Sequence, residues 1–352
     1  MRSIPARATI AATFVAVSIV MGTRASAQGC EPIRFSTPVS LGGGGEAYQR
    51  KNEWRVTLGY RRLYSNEWFV GTESAPALGP GGQSPVLNIN TVITEVSYAP
   101  NERVQLRVGI PYSHGTTTSI WPDKLTHTQS VSGIGDISAI AESWLLSPTT
   151  HSSGNLSIGI GFKAPTGSHT ASSFVYTPAA AIAYPADQTV QPGDGGWGLI
   201  VESQAFRQLT ERFYGYAFGS YMASPKAKSD VAFRPGSSVY WSVPDIYSAR
   251  AGAAFSVLPD QGLTLSLGGR MDGIPLHDIF GAGDDDTIKR TSRVVFVDPG
   301  VSLTRGKHNI TVSAPWRVSV DRFKSLYERR TNSLNGGGFA KHLIFASYSL
   351  RI

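Results

Sequence analysis

From Arg103 to Tyr112 apolar and polar positions change places at every step. Val104, Leu106, Val108, Ile110 and Tyr112 alternate with Arg103, Gln105, Arg107, Gly109 and Pro111. A period of two marks a strand with one apolar and one polar face. The pattern recurs along the chain. Trp54, Val56, Leu58 and Tyr60 stand against Glu53, Arg55, Thr57 and Arg61, and Val92, Val96 and Tyr98 have Glu95 opposite. Ile137, Ala139, Ala141 and Leu145 alternate with Asp136, Ser138 and Glu142; Leu156, Ile158, Ile160 and Phe162 alternate with Ser157, Gly159, Gly161 and Lys163. Trp197, Leu199, Val201 and Ala205 oppose Glu202 and Gln204. Tyr214, Tyr216 and Phe218 form the apolar row of the next segment, against Gly215, Ala217 and Gly219. Five further segments begin near Tyr247, Leu263, Val295, Ile310 and Ile344, and Pro299 within one of them predicts a bulge.

The connections carry separate information. Short links at 99–102, 147–154, 208–212, 259–262 and 305–308 alternate without exception with long ones at 62–87, 113–133, 165–196, 223–244, 273–291 and 320–337. A soluble sandwich has no reason to keep that rhythm, whereas a membrane barrel with short periplasmic turns and long outer loops requires it. The apolar positions are too many for a small sandwich core, and the faces opposite them carry charge. The sequence therefore predicts an all-β fold, a transmembrane antiparallel up-and-down β-barrel of about 12 strands in the bacterial outer membrane. The last strand, with Tyr348, Leu350 and Ile352, suits recognition by the barrel assembly machinery, although Ile352 stands where an aromatic residue is usual.

The beginning of the chain agrees with export. Arg2 and Arg7 precede an apolar stretch, 8–22, and Ala25-Ser26-Ala27 offers a cleavage site, so 1–27 reads as a signal peptide. Residues 28–52 then form a periplasmic N-terminal segment and 53–352 the barrel. Cys30 is the single cysteine, which excludes an intramolecular disulfide. As the acylated cysteine of a lipoprotein it has Ala27 where that signal wants Leu. Cleavage removes Arg2, Arg7 and Arg24 and lowers the net charge from +7 to +4, a balance that does not point to nucleic acid.

Several segments resemble a known family. Gly135-Asp136, the run Phe162-Lys163-Ala164-Pro165-Thr166-Gly167, and Gln191-Pro192-Gly193-Asp194-Gly195-Gly196-Trp197-Gly198 are similar to strand ends of the outer-membrane barrel family named for the meta-pathway of phenol degradation. Gly268-Gly269-Arg270 and Asp298-Pro299-Gly300 are similar too. The resemblance implies passage of small, often aromatic, compounds across the outer membrane.

If the apolar faces meet outer-membrane lipid, the opposite faces meet a lumen. Its predicted lining is Arg55, Glu95, Arg103, Arg107, Asp136, Glu142, Lys163, Glu202, Arg250, Arg270, Asp272, Arg317 and Arg351. Two readings stay open: a polar path with a slight basic excess, suited to anionic or polarizable small-molecule solutes, and an ion-pair network that fills the interior. A barrel of about twelve strands lies between filled and open sizes. No catalytic residue, metal site or cofactor is assigned. The seven histidines lack an HExxH pair, the Gly-rich runs lack a phosphate loop's Lys-Ser/Thr, and Asp284-Asp285-Asp286 reads as a solvated loop. His277 and Asp278, adjacent on a strand, would point to opposite faces. The leading function is a channel or transporter for small, aromatic or anionic molecules. An outer-membrane acyl hydrolase, or a plugged barrel acting in structure or adhesion through its loops, are the alternatives.

Overall fold

The structure, a computed structural model, describes residues 48–280, 286–333 and 336–352. The predicted signal peptide, Cys30 and all but the last five residues of the predicted N-terminal segment lie outside the described residues. Twelve strands close into one antiparallel barrel. They are β1 (Trp54–Ser65), β2 (Val86–Tyr98), β3 (Val104–Ile120), β4 (Ile137–Trp144), β5 (Gly154–Ala164) and β6 (Gly198–Gln208), followed by β7 (Phe213–Ala223), β8 (Ile246–Leu258), β9 (Leu263–Ile274) and β10 (Ser292–Arg305). β11 is split into His308–Ser313 and Trp316–Asp321, and β12 is His342–Arg351. Each strand pairs with its sequence neighbour, and β12 returns to β1, with Arg55 opposite Arg351 and Tyr64 opposite His342.

Closure explains the composition of the outer face. With no free edge on the ring of twelve strands, the ladders pair backbone groups all the way round, which a wall in hydrocarbon requires. Alternation then puts Leu106, Val108 and Ile110 outward on β3, Ile158 and Ile160 on β5, and Leu265 and Leu267 on β9. Ile160 is 59% and Leu267 61% exposed, members of a belt far too large for a water-facing monomer. Aromatic pairs mark its borders: Trp54 with Tyr98 and Phe213 with Phe255 at the short-turn end, Phe162 with Trp197 at the long-loop end. The protein is an outer-membrane β-barrel.

Three expectations change. The aromatic row of β7 faces inward: Phe218 lies opposite the buried Arg250, and Tyr216 opposite Gly252. The small residues Gly215, Ala217 and Gly219 take the lipid side, because the aromatics have a polar interior to fill. The bulge expected at Pro299 is absent there. Pro299 keeps register opposite Leu267, and its carbonyl accepts from Ala314 N. The irregularity falls instead on β11, where pairing with β10 shifts between Val295 and Phe296. Finally, β3 runs well past Tyr112 and pairs with Thr126–Ile134, so the predicted long link is mostly a hairpin that continues the wall.

Candidate functional site in the barrel lumen

At the short-turn half of the lumen, Arg107 of β3 sits among three glutamates. Nη1 lies 3.6 Å from Glu95 of β2, Nη2 lies 3.5 Å from Glu142 of β4, and Nη2 also hydrogen-bonds Glu202 of β6. Ser157 and Gln204 donate to Glu142 as well. Glu202 reaches toward Arg107 over β5 at Gly159, where a Cβ would stand 2.7 Å from Glu202 Cγ. Arg55 points inward on β1 opposite Arg351, whose guanidinium donates to Gly306 O at the barrel's end. Arg103 lies exposed in the turn between β2 and β3, not along the wall.

The wall formed by β7–β10 is arranged in rows. In the first, Phe218, Arg250, Arg270 and Phe296 are successive partners, and Arg317 of β11 continues it. Arg250 Nε lies 2.5 Å from Asp298 Oδ2, and Arg270 Nε lies 2.7 Å from Asp272 Oδ2, which also accepts at Oδ1 from Ser248. Both guanidiniums cover aromatic faces, Arg250 over Tyr216 at 5.4 Å and Arg270 over Phe345 at 4.7 Å. Arg107, Arg250 and Arg270 thus each stand beside a carboxylate.

Toward the long loops the lumen becomes apolar. Leu63, Leu87, Ile89, Val294, Phe296, Val320, Leu343 and Phe345 point inward from five strands and pack with loop residues Phe69, Val190 and Phe339. Two polar struts hold those loops. Arg317 bonds Glu67, donates to Phe339 O and covers the Phe69 ring at 4.5 Å. Lys163, fully buried, lies 3.2 Å from Asp136 and also pairs with Asp194. Asp136 in turn accepts from Gly167 N and Asp194 N. A Cβ on Gly167 would lie 2.9 Å from the backbones of both Gly135 and Gly193. Three of the segments that carry the family resemblance therefore meet in one buried strut, so Asp136 and Lys163 brace the wall at its outer end.

Above the membrane, α1 (Leu326–Arg330) is anchored by the buried Arg322–Glu328 pair, and burial lowers the Arg322 guanidinium's pKa. Burial works to raise the Asp187 carboxyl, but the Arg290 charge and bonds from Thr189 outweigh it and hold it at about 2. Asp278 pairs with Lys289 at 2.7 Å and accepts from Asp245 N, which makes it a structural anchor. Asp286 pairs with Arg330; its two acidic neighbours lie outside the described residues. At the opposite end Tyr48 stacks edge-on against Trp144 and Phe206, ring centroids 4.9 and 5.5 Å away.

Sequence reasoning missed the inward aromatics Tyr214, Tyr216, Phe218 and Trp144, the apolar upper lumen, and Asp298 as a partner of Arg250. The available signal was Gly252 and Gly268, inward-facing glycines whose space Tyr216 occupies: a Cβ on either would lie 2.6 or 2.5 Å from its hydroxyl.

No family model matches the chain, and no curated protein matches it. Among solved structures it is similar to the COG4313 outer membrane channel from Pseudomonas putida F1, at 13% identity and a TM-score of 0.61, over 90% of this chain and 100% of that one. A FadL homologue from Pseudomonas aeruginosa matches at 11% identity and a TM-score of 0.40, over 86% and 90% of the two chains. A TodX monoaromatic hydrocarbon channel mutant matches at 10% identity and 0.45, over 93% and 95%. At such identities the first shows the fold alone, and the other two superpose too loosely to carry more.

Proposed function

We propose that the protein is an outer-membrane channel for small, largely apolar molecules, aromatic ones among them. The observation that carries this reading is the lining. Tyr214, Tyr216 and Phe218 project half-buried into the lumen below an apolar mouth, and guanidinium planes lie over aromatic rings beside them. Such a surface gives an apolar or aromatic solute dispersion and cation–π contacts that a sugar cannot use. The paired state of Arg107, Arg250 and Arg270 argues against the basic, anion-attracting path that their count alone suggests. The fold is also one on which a Pseudomonas putida F1 channel is built.

The test is flux into proteoliposomes that enclose a solute-responsive dye or enzyme. Toluene and propylbenzene are expected to enter faster than through protein-free vesicles, while glucose and benzoate show little gain. Rapid glucose entry with no gain for the aromatics would overturn the proposal. One feature favours a second reading, a sealed barrel that acts through its loops: Phe69 and Phe339 pack into the mouth at 5.9 Å. Absence of any flux from a correctly folded barrel would support it.

A further inference from the structure

On the outside of β1–β3 the lipid-facing surface gives way, toward the long loops, to a patch of hydrogen-bond donors. Trp54, Leu58 and Tyr60 are exposed along β1, and the next outward position is Arg62. Asn90 of β2 is the partner of Arg62, and His114 of β3 is the partner of Asn90, so the three stand in one row. Arg62 and His114 are exposed and Asn90 is half-buried. The row above is Tyr64, Asn88 and Thr116. Neither row contains an acidic residue. The strands on either side add none, with His342 and Ile344 beside Tyr64 and Arg62, and Ser130 and Ser132 beside Thr116 and His114. The amide oxygens are already engaged: Asn90 Oδ1 accepts from the Tyr60 hydroxyl at 2.7 Å, and Asn88 Oδ1 accepts from Asn90 Nδ2 at 3.4 Å. The groups left to face outward are the Arg62 guanidinium, the Asn88 N–H groups and the His114 ring, a set that suits an anion.

We propose that this patch binds the phosphate of an anionic lipid in the outer leaflet. Its height selects a lipid. Arg62 stands eight residues along β1 from Trp54 of the short-turn girdle. At a rise of about 3.3 Å per residue and a tilt of about 40°, that is about 20 Å, near the upper border of an apolar band about 25 Å tall. There the acyl chains give way to head groups. The surface below selects a lipid as well. Tyr60, Val92 and Tyr112 form the row beneath Arg62, and they are 38%, 40% and 52% exposed. An acylated ligand lays its chains on that row while its phosphate meets the guanidinium, whose fork donates two parallel bonds to phosphate oxygens. Cross-strand neighbours are about 5 Å apart at Cβ, so a phosphate over Asn90 is within reach of Arg62 on one side and His114 on the other. A free anion or a soluble partner gains nothing from the apolar row. The site lies outside the lumen, so it is independent of what the channel carries.

The test uses the full barrel in neutral detergent micelles, with bound lipid read by native mass spectrometry. The probes are diphosphoryl lipid A, the same lipid after enzymatic removal of its phosphates, and inorganic phosphate. The phosphorylated lipid is expected to bind about tenfold more tightly than the dephosphorylated one, and excess inorganic phosphate should fail to displace it. Arg62→Gln should bring the two lipids to within about twofold. Asn88→Ala with His114→Ala, which keeps the cation, should lower the preference about fivefold. Arg293→Gln removes an exposed cation from β10, opposite Gly273, and should leave the preference as it is. Folding of each variant is verified by heat-dependent electrophoretic mobility. Equal wild-type affinities for the two lipids would overturn the inference, as would a preference that survives both patch variants. A loss in Arg293→Gln as large as in Arg62→Gln would reduce the effect to general charge attraction, and displacement by inorganic phosphate would reduce it to a site for any anion; either result overturns the proposal. None of these outcomes touches the flux expected through the lumen.

Discussion

Arg107→Gln is the substitution with the largest consequence for the lumen. The guanidinium, 10% exposed, is the central cation for Glu95, Glu142 and Glu202. One charge pair near 4 Å is worth about 4 kcal/mol gross at an effective dielectric of about 20. Desolvation cancels most of the three-pair total in the intact barrel. Removing the cation forfeits the attraction but leaves three carboxylates buried together, so a net loss of about 3–5 kcal/mol is expected. Glu202→Gln is a different case. Arg107 keeps two carboxylates, the amide still accepts a hydrogen bond, and the loss should stay near 1–2 kcal/mol. The assay is the urea midpoint in detergent micelles, read as heat-dependent electrophoretic mobility and tryptophan emission at unchanged slope. Combining Arg107→Gln with Glu95→Gln and Glu202→Gln should recover more than half of the loss, since the repulsion is then gone. If Glu202→Gln proves as damaging as Arg107→Gln, or the triple variant no better than the single one, the cluster is not organised around its cation.

Three other outcomes follow from named contacts. Asp187 titrates at about 2 instead of 3.8. Its contribution is therefore present above about pH 4 and lost as pH falls toward about 2, at most about 2 kcal/mol and less because the side chain is 29% exposed. Emission from Trp241, which Arg290 covers at 4.5 Å, should change across that window, and in Asp187→Asn the change should vanish. On β7, Tyr216→Cys should react with a water-soluble maleimide and Ala217→Cys only with a membrane-permeant one; the reverse would restore the outward aromatic row. Lys163→Met strands Asp136 and Asp194, costs about 3–5 kcal/mol, and should expose the 165–197 loop to proteolysis. Unchanged proteolysis would show that the strut is dispensable.

The barrel was legible because lipid imposes a rule on every strand. Val104 to Tyr112 had to alternate, since each outward position faces hydrocarbon and each inward one does not. The same rule fails near the outer end, where the lumen itself is apolar. Leu63, Leu87 and Ile89 point inward while Arg62, Asn88 and Asn90 take the outer face, and Leu343 and Phe345 flank the outward Ile344, so only the loops packed above reveal which row is internal. β7 fails for a related reason. Gly215, Ala217 and Gly219 are as acceptable to lipid as Tyr214, Tyr216 and Phe218, so alternation alone left its phase undecided, and pairing with β8 decided it by placing Phe218 opposite Arg250.

The lumen was legible as a list of charges but not as a set of partners. Alternation puts Arg107, Glu202, Arg250 and Asp298 on the inner face, yet says nothing of who meets whom. Arg107 and Glu202 stand three strands apart, and Arg250 and Asp298 two. Those meetings are set by the curvature that brings distant strands across a narrow interior. They also need clearance over the strand between, and glycine supplies it: Gly159 lies beneath Glu202, and Gly268 sits in the row between Tyr216 and Asp298. Glycines read as strand weaknesses in isolation are, in a closed barrel, the places where a long side chain crosses its neighbour. An inward glycine on the strand between two candidate residues is therefore the sequence signal for a contact across strands that do not pair. It points to Glu202 reaching toward Arg107 over Gly159 and to Tyr216 extending over Gly252 and Gly268.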